Sequence, residues 1–146
     1  MNTPIAQLLD RKGHTVATIS PTASVFEAIQ LMDDKQVGSL LIMNKSGKLA
    51  GLLTERDCFR KVILVEKQPR TVTVKEAMTK KVIYMTPEST IDDAMAVMTQ
   101  KRIRHLPVID KDKVCGIISI GDLVKFMATE QDLMIHNLEK YIEGSL

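Results

Sequence analysis

Two copies of a short motif contain the residue types best suited to hold a small polar molecule. The first is Gly51-Leu-Leu-Thr54-Glu-Arg-Asp57, and the second is Gly116-Ile-Ile-Ser119-Ile-Gly-Asp122. A carboxylate accepts two hydrogen bonds, which suits the cis-diol of a ribose, and the hydroxyl three residues earlier can donate to or accept from the same sugar. Backbone amides at a nearby helix start would favour a phosphate. Each motif is therefore a candidate binding element.

The same spacing is also typical of a capping box, in which a Ser or Thr and a carboxylate three residues later begin a helix. Finding the motif twice does not separate the two interpretations, because a duplicated fold copies its helix caps as well. The two roles are compatible, and both stay open at the level of the sequence.

The motifs end two segments, residues 19–57 and 85–122, that repeat each other. The offset is 66 residues at the prolines (87 − 21 = 66) and 65 at the final aspartates (122 − 57 = 65), since one residue is lost in a turn. Equivalent pairs include Pro21 and Pro87, Ala28 and Ala94, Met32 and Met98, and Gly51 and Gly116. A duplicated unit commonly forms two half-sites, so function is expected between the copies.

Each copy is predicted to fold as strand, helix, strand, strand and helix. Ser24 with Glu27 and Thr90 with Asp93 have the spacing of capping boxes, and apolar residues follow at helical intervals. The hairpin strands are predicted at Leu40–Met43, Leu49–Leu53, Leu106–Ile109 and Val114–Ile118. Short, continuously apolar strands of this kind indicate burial on both faces.

Two helices are predicted outside this repeated pattern, and the helix that ends the second copy is predicted to be long. Thr3-Pro4 is expected to open one, with the proline at its first helical position, and Thr73 to open another. The last segment, from Asp122 to about Tyr141, is long and amphipathic. Its remaining apolar residues, which include Leu133 and Leu138, predict a dimer contact.

The bulk composition indicates a globular protein with one compact domain or two small units that share a core. The chain has 146 residues, 45% of them apolar and 26% charged, and a net charge of +2. This charge is too small to predict nucleic-acid binding, and no apolar run approaches the roughly 20 residues of a membrane span. With only Cys58 and Cys115, and without a signal-peptide pattern at the start, we expect reduced thiols in a cytoplasmic protein.

The ordered repeat resembles a tandem pair of cystathionine-β-synthase-type (CBS) domains, also called a Bateman module, over roughly residues 4–130. Besides the two terminal motifs, the resemblance rests on Ser20-Pro21, Thr86-Pro87, Ala28–Met32, Ala94–Met98 and His105–Asp110. It implies an α/β (α+β) fold of two pseudo-twofold-related β-α-β-β-α repeats packed through their sheets, with a long C-terminal helix. The implied domains are residues 4–66, residues 71–130 and a helical extension at 131–146.

The resemblance also implies a site, because such modules bind adenosine-containing ligands in two clefts between the repeats. Asp57 and Asp122 would hold ribose hydroxyls, and Val37 and Ile103 would press on the adenine. Tyr84 is as readily a packed core residue as a base contact. The implied ligand-binding residues are Thr18, Ser20, Val37, Gly38, Ser39, Thr54, Arg56, Asp57, Tyr84, Thr86, Ile103, Arg104, His105, Pro107, Ser119 and Asp122.

The two clefts are not expected to be equivalent. The second copy has Arg104-His105 where the first has Gly38-Ser39. This difference predicts a phosphorylated adenosine held by Asp122, Ser119 and Arg104, with the other cleft empty or bound to an uncharged derivative or to the far end of a dinucleotide. Arg56 or residues from the other copy could replace the missing cation, and a solvated basic face is the alternative explanation of the basic run at 101–105.

The resulting functional hypothesis is a non-catalytic regulatory or sensor module that binds an adenine nucleotide and transmits its occupancy to an unidentified partner. AMP is the first expectation, with ATP, NAD or S-adenosylmethionine as alternatives, and a homodimer is expected. The sequence has no GxGxxG, no phosphate-binding GxxxxGK(S/T) loop and no zinc-ligand spacing, so an enzyme is not predicted. The alternative is a structural homodimerisation module with vestigial clefts.

Overall fold

The computed structural model describes the backbone of residues 2–143 and the side chains of residues 2–131. Six α-helices, four strands and one π-helical segment follow each other along this part of the chain. In order they are α1 (Ile5–Lys12), α2 (Val25–Lys35), β1 (Ser39–Met43), β2 (Leu49–Thr54), α3 (Glu55–Cys58), the π-helical segment Phe59–Ile63, α4 (Val74–Ala77), α5 (Ile91–Lys101), β3 (His105–Asp110), β4 (Lys113–Ser119) and α6 (Ile120–Glu143).

The predicted caps set the starts of the helices. The Ser24 hydroxyl accepts from the backbone N–H of Glu27 at 3.1 Å, and Thr90 and Asp93 form a complete capping box. Hydrogen bonds from the Thr90 backbone and side chain hold the pKa of Asp93 below its ordinary value. The prediction for α1 is wrong by one residue, because Pro4 is its N-cap, with an extended backbone, and Ile5 is its first helical residue.

Each repeat contains one antiparallel hairpin, β1 with β2 and β3 with β4. Leu41 and Leu52 are paired across β1 and β2 and are buried on the face opposite Leu40 and Ile42, so the expected burial on both faces is confirmed. The predicted first strand of each repeat is reduced to an isolated bridge. Thr18 and Met85 each make a single parallel bridge, because the following Ser-Pro or Thr-Pro step supplies a residue without an N–H and ends the ladder.

The helix that precedes each repeat in the chain packs into the hydrophobic core of the other repeat, so the two repeats exchange these helices. Ile5, Leu8 and Leu9 of α1 belong to the core of the second repeat, although they precede the first repeat in the chain. Val74 and Ala77 of α4 belong correspondingly to the core of the first. The exchanged helices are held by matching backbone bonds, Ile91 N to Thr3 O, Ile5 N to Ser89 O, Val25 N to Val72 O and Val74 N to Ala23 O.

The long C-terminal helix predicted from the sequence is confirmed, since α6 extends from Ile120 to Glu143. Leu123 and Phe126 anchor its first turns in the core of the second repeat. The side chains of Leu133, Leu138 and Tyr141, on which the expected dimer contact rests, lie outside the described residues, as do residues 144–146.

Candidate functional site

Both repeated motifs form the capping boxes that their spacing predicts. The Asp57 carboxylate accepts from the Thr54 N–H at 3.0 Å, and the Thr54 hydroxyl accepts from the Asp57 N–H at 3.1 Å. The corresponding distances between Ser119 and Asp122 are 2.8 and 3.1 Å. The capping role is therefore confirmed, and it places both carboxylates at the junction of a strand and a helix.

Asp57 is the more enclosed of the two carboxylates, with 13% of its side chain exposed. The Thr79 hydroxyl donates to its two oxygens at 3.2 and 3.3 Å. Lys61, one turn later in the π-helical segment, approaches Oδ1 at 3.2 Å and also donates to the carbonyl of Ala77 at 2.9 Å. The linker helix α4 and its flanking residues thus help to position Asp57.

Asp122 is held differently, by a cation from the N-terminal helix. Lys12 Nζ lies 2.5 Å from Asp122 Oδ2 and 2.6 Å from the carbonyl of Ile117. Among the described residues no hydrogen bond reaches the other carboxylate oxygen of Asp122. The two pseudo-equivalent carboxylates therefore have different electrostatic surroundings, one with a hydroxyl and a lysine and the other with a lysine alone.

A cavity of about 740 Å³ lies between the two repeats and brings residues of both together. It is lined by Thr54, Glu55, Arg56, Asp57, Phe59 and Thr79 from the first repeat and linker, and by Met98, Thr99, Arg102, Ile103, Arg104, His105 and Ile120 from the second. The cavity combines a carboxylate, several cations and an apolar wall, and its volume suits a ligand of nucleotide size.

The larger cavity contains Arg104 but not the two residues predicted to bind the same ligand, Asp122 and Ser119. Arg104 shares the cavity with Asp57 and Thr54 of the other repeat, and neither Asp122 nor Ser119 lines it. The reason lies in the packing of α3 against the end of α5. Arg56 Nη1 donates to the carbonyl of Arg102 at 2.8 Å. This bond brings α3 of the first repeat to the basic run at 101–105 of the second.

His105 lies where the two repeats meet, against Gly38 of the first repeat. A Cβ atom at Gly38 would lie 3.1 Å from its Cε1 atom and 2.7 Å from Glu55 Oε1, so glycine permits this close approach. Burial lowers the pKa of His105 below 6.5, and this effect outweighs the opposing influence of Glu55. Lys12 and Arg104 lower the pKa further, and Asp122 raises it.

We expect the free energy of unfolding to fall as the pH drops below 6.5, the ordinary pKa of histidine. The folded state resists protonation of His105, so the unfolded state binds more protons in this range and gains stability on acidification. Denaturant unfolding between about pH 7.5 and about pH 5 should show a smaller loss for His105→Gln, which cannot titrate. Equal losses in the two proteins would contradict this assignment.

A second cavity, of about 430 Å³, lies between α2 and the continuous segment formed by α3 and the π-helical turn. The predicted residues Val37 and Gly38 line it, together with Ile29, Met32, Asp33, Gln36, Glu55, Cys58, Phe59 and Ile63. Burial, aided by the nearby Asp57 and Glu55, raises the pKa of Cys58 to about 11, so this thiol stays protonated. Glu55 and Phe59 line both cavities, which therefore adjoin each other.

The remaining predicted residues line neither of these two cavities. Asp122 borders a smaller cavity of about 250 Å³ between α1 and α6. Tyr84 is 53% exposed, so its packing in the core is excluded. Predicted residues that line none of the three cavities are Thr18, Ser20, Ser39, Tyr84, Thr86, Pro107 and Ser119. Ser39 and Pro107 are instead buried within β1 and β3.

Several residues of the larger cavity were not predicted from the sequence. Phe59 lies two residues after the first motif and lines the cavity. The repeat did not indicate this role, because the equivalent residue of the second copy is Val124 and not an aromatic residue. Lys12 reaches Asp122 from α1, and Thr79 reaches Asp57 from the segment just after α4. Chain order gives no indication of either contact. Arg102 belongs to the basic run and could have been proposed from it.

A family model of the CBS domain matches residues 2–64 and again residues 74–129. The chain belongs to the CBS domain family. Proteins with such domains are regulatory modules, most of them non-catalytic. The family assignment agrees with the two repeats, their hairpins and the terminal capping motifs described above.

The CBS repeats are shared with sequence relatives and solved structures. The chain is 37% identical over 125 residues to the mitochondrial CBS domain-containing protein CBSX3 of Arabidopsis thaliana, covering 83% of this chain and 61% of that protein. A crystal structure of the CBS domain NE2398 matches with a TM-score of 0.82 and 48% identity, covering 86% of this chain and 98% of that one. This chain therefore spans less than two thirds of CBSX3.

A CBS domain pair solved with nucleoside ligands has the same fold. The pair from protein MJ0100, in complex with 5′-methylthioadenosine and S-adenosyl-L-methionine, matches with a TM-score of 0.77 and 24% identity, covering 89% of this chain and 99% of that one. In the part of the chain that the structure describes, none of the helices combines the length and apolar character that crossing a membrane requires.

Proposed function

We propose that this CBS pair is a non-catalytic regulatory module that binds an adenosine-containing nucleotide between its repeats and transmits occupancy to a partner protein. The observation that carries the proposal is the larger cavity, in which Asp57 and Thr54 of one repeat face Ile103 and Arg104 of the other. A ligand that touches both repeats couples their relative positions, and it shifts them by as much as it prefers one arrangement.

The carboxylate end of the cavity is proposed to bind the ribose. Asp57 can accept hydrogen bonds from the 2′- and 3′-hydroxyls, with the Thr54 hydroxyl beside it. Lys61 contacts this carboxylate with a side chain that is 43% exposed, and ribose binding requires it to move aside and leave the Ala77 carbonyl. The sugar hydroxyls then replace Lys61 as donors, and the capping bond from the Thr54 N–H is kept.

The arginines of the cavity are proposed to bind phosphate. Arg56, Arg102 and Arg104 all line the cavity, and the contact from Arg56 to the carbonyl of Arg102 holds the first two together. Guanidinium groups match phosphate oxygens with paired, charge-assisted hydrogen bonds. A phosphorylated adenosine is therefore favoured over an uncharged one, and AMP is the ligand we propose first, ahead of ATP, NAD and S-adenosylmethionine.

The apolar wall is proposed to contact the base. Ile103 and Met98 present aliphatic surface, and Phe59 is 59% exposed at the cavity edge. These side chains can hold a flat ring through dispersion contacts. The adenosine-type ligands of the MJ0100 pair support the ligand class.

The wider assignment consists of a homodimer, a cytoplasmic location and a regulated protein of unknown identity. The domain division at residues 4–66, 71–130 and 131–146 also stays a prediction, and the family matches at 2–64 and 74–129 have similar limits. A purely structural homodimerisation module is the second candidate. It is favoured by the capping boxes, because Asp57 and Asp122 have a structural use without any ligand.

Calorimetric titration of nucleotide-stripped protein with AMP, ATP, NAD, S-adenosylmethionine and GMP tests the proposal. Saturable binding of an adenine ligand, with no heat from GMP, supports the regulatory assignment and ranks the ligands. No binding across the whole panel would contradict it and favour the structural module.

We expect Arg104→Ala to weaken AMP about tenfold and unphosphorylated adenosine by less than about twofold, because the arginine contacts only the phosphate. Titration of both ligands against the variant measures the difference. Arg60→Ala, an exposed arginine outside the cavity, is the matched control and should leave both affinities unchanged. Equal losses for the two ligands at Arg104 would rule out a specific phosphate contact.

A further inference from the structure

The side chain of Lys61 joins the Asp57 carboxylate to the end of the linker helix α4. Its Nζ atom lies 3.2 Å from Asp57 Oδ1 and donates to the carbonyl of Ala77 at 2.9 Å. Ala77 is the last residue of α4. One lysine therefore connects the carboxylate proposed to bind the ribose with a helix that leads into the second repeat. We call these two contacts the Lys61 latch.

The chain that follows α4 links the latch to both repeats. Thr79 forms two backbone hydrogen bonds with Leu52 of β2, at 2.8 and 3.0 Å, and it also lines the larger cavity. Further along, Met85 is bridged to Val108 of β3. The end of α4 therefore has a short covalent path to a strand of the second repeat.

The second repeat has a corresponding contact that uses different residues. Lys12, the last residue of α1, bonds both Asp122 and the carbonyl of Ile117. The residue at the position of Lys61, at the offset of 65 residues, is Phe126. A lysine thus reaches each capping carboxylate without having been copied by the duplication. Of the two carboxylates, the one that Lys61 contacts lines the larger cavity, so this lysine is the one that meets the proposed nucleotide.

Asp57 does not have enough acceptor sites for Lys61 and a ribose together. A carboxylate offers roughly four lone-pair sites. The Thr54 N–H takes one, the Thr79 hydroxyl another and Lys61 a third. The cis-diol of a ribose needs two, so a bound ribose excludes Lys61. The lysine then leaves the Ala77 carbonyl as well, because the same Nζ atom makes both contacts.

We propose that Lys61 sets the nucleotide affinity by competing with the ribose for Asp57, and that its release disconnects α4 from the π-helical segment. This inference deepens the proposed function and rests on it, because it states how occupancy of the cavity reaches the rest of the chain. A nucleotide without the cis-diol would bind through its base and phosphate and leave the latch closed. The chemical feature that opens the latch is therefore the ribose diol.

Lys61→Met tests the competition, because methionine keeps most of the aliphatic stem and removes the donor. Calorimetric titration compares AMP with 2′,3′-dideoxy-AMP, which lacks the two hydroxyls and carries the same phosphate. The ratio of the two affinities is therefore insensitive to the positive charge that the substitution removes. We expect the preference for AMP over the dideoxy analogue to rise about fivefold, the upper range for a partly exposed ion pair.

Arg60→Met is the matched control for the lost charge. Arg60 is an exposed cation of the same π-helical segment, and among the described side chains it forms no hydrogen bond or ion pair with Asp57. Its substitution should leave the preference for AMP unchanged. An unchanged preference in Lys61→Met would overturn the competition, and equally weaker binding of both nucleotides would make Lys61 a phosphate contact instead. If AMP does not bind the unsubstituted protein, the proposed nucleotide site itself is refuted.

Hydrogen exchange tests the release of α4 separately. The amides of Ala77 and Met78 donate to the carbonyls of Thr73 and Val74 across this short helix. Saturating AMP should speed the exchange of these two amides by about twofold or more relative to the amides of β1, and dideoxy-AMP should not. Lys61→Met should show the faster exchange without a nucleotide. If AMP binds but leaves this exchange unchanged or slows it, the release of α4 is overturned and the nucleotide site stands.

Discussion

We expect Asp57→Asn to weaken AMP binding by about 1.5–3 kcal/mol, or roughly 10- to 150-fold. The carboxylate lies in the inter-repeat cavity and would accept two hydrogen bonds from the ribose. Asparagine preserves the volume and keeps one oxygen to accept from the Thr54 N–H, so the capping bond can persist. The loss of affinity then measures the contribution of the negative charge and of the second acceptor oxygen. Titration calorimetry with AMP determines this loss.

Asp122→Asn is the matched control, because it makes the same chemical change at the pseudo-equivalent position. Asp122 does not line the larger cavity and is paired with Lys12, so we expect AMP affinity to change by less than about threefold. Denaturant unfolding of both variants separates binding losses from instability. A large loss at Asp122 with none at Asp57 would place the nucleotide elsewhere and contradict the assigned cleft.

The second large effect concerns stability, and it tests the exchange of helices between the cores. Leu9→Ala should reduce the free energy of unfolding by about 2–5 kcal/mol, since it removes a fully packed side chain and leaves a cavity. Leu9 is 1% exposed in the core of the second repeat, and its Cδ2 atom lies 2.8 Å from the position of a Cβ built at Gly116. Denaturant titration measures the loss.

Hydrogen exchange shows which repeat depends on Leu9. The amides of β3 and β4 should exchange faster in Leu9→Ala, while those of β1 and β2 change less, because α1 packs on the second repeat. Leu64→Ala is the control, since Leu64 is 74% exposed and its truncation should change stability by less than about 0.5 kcal/mol. Faster exchange confined to β1 and β2 would contradict the exchanged packing.

The local features of this protein follow from its sequence alone. Ser24, Thr54 and Thr90 begin helices because a hydroxyl and the backbone N–H three residues later meet in any helix start, whatever surrounds it. The hairpins follow from short apolar runs separated by polar turns. The duplication could likewise be read directly, and with it the expectation of a site between two similar halves.

Only the tertiary structure decided which residues share that site. The family resemblance grouped Arg104 with Asp122 of the same repeat, whereas the larger cavity is lined by Arg104 and by Asp57 of the other repeat, and Lys12 pairs with Asp122. The packing of α1 on the second repeat and of α4 on the first could not be predicted from the sequence either, because each helix packs on the other repeat and not on the one that it directly precedes in the chain. Caps and turns depend on hydrogen bonds between residues three or four positions apart. A cleft depends on how separate apolar faces are buried against each other, and the free energy of burial does not depend on distance along the chain.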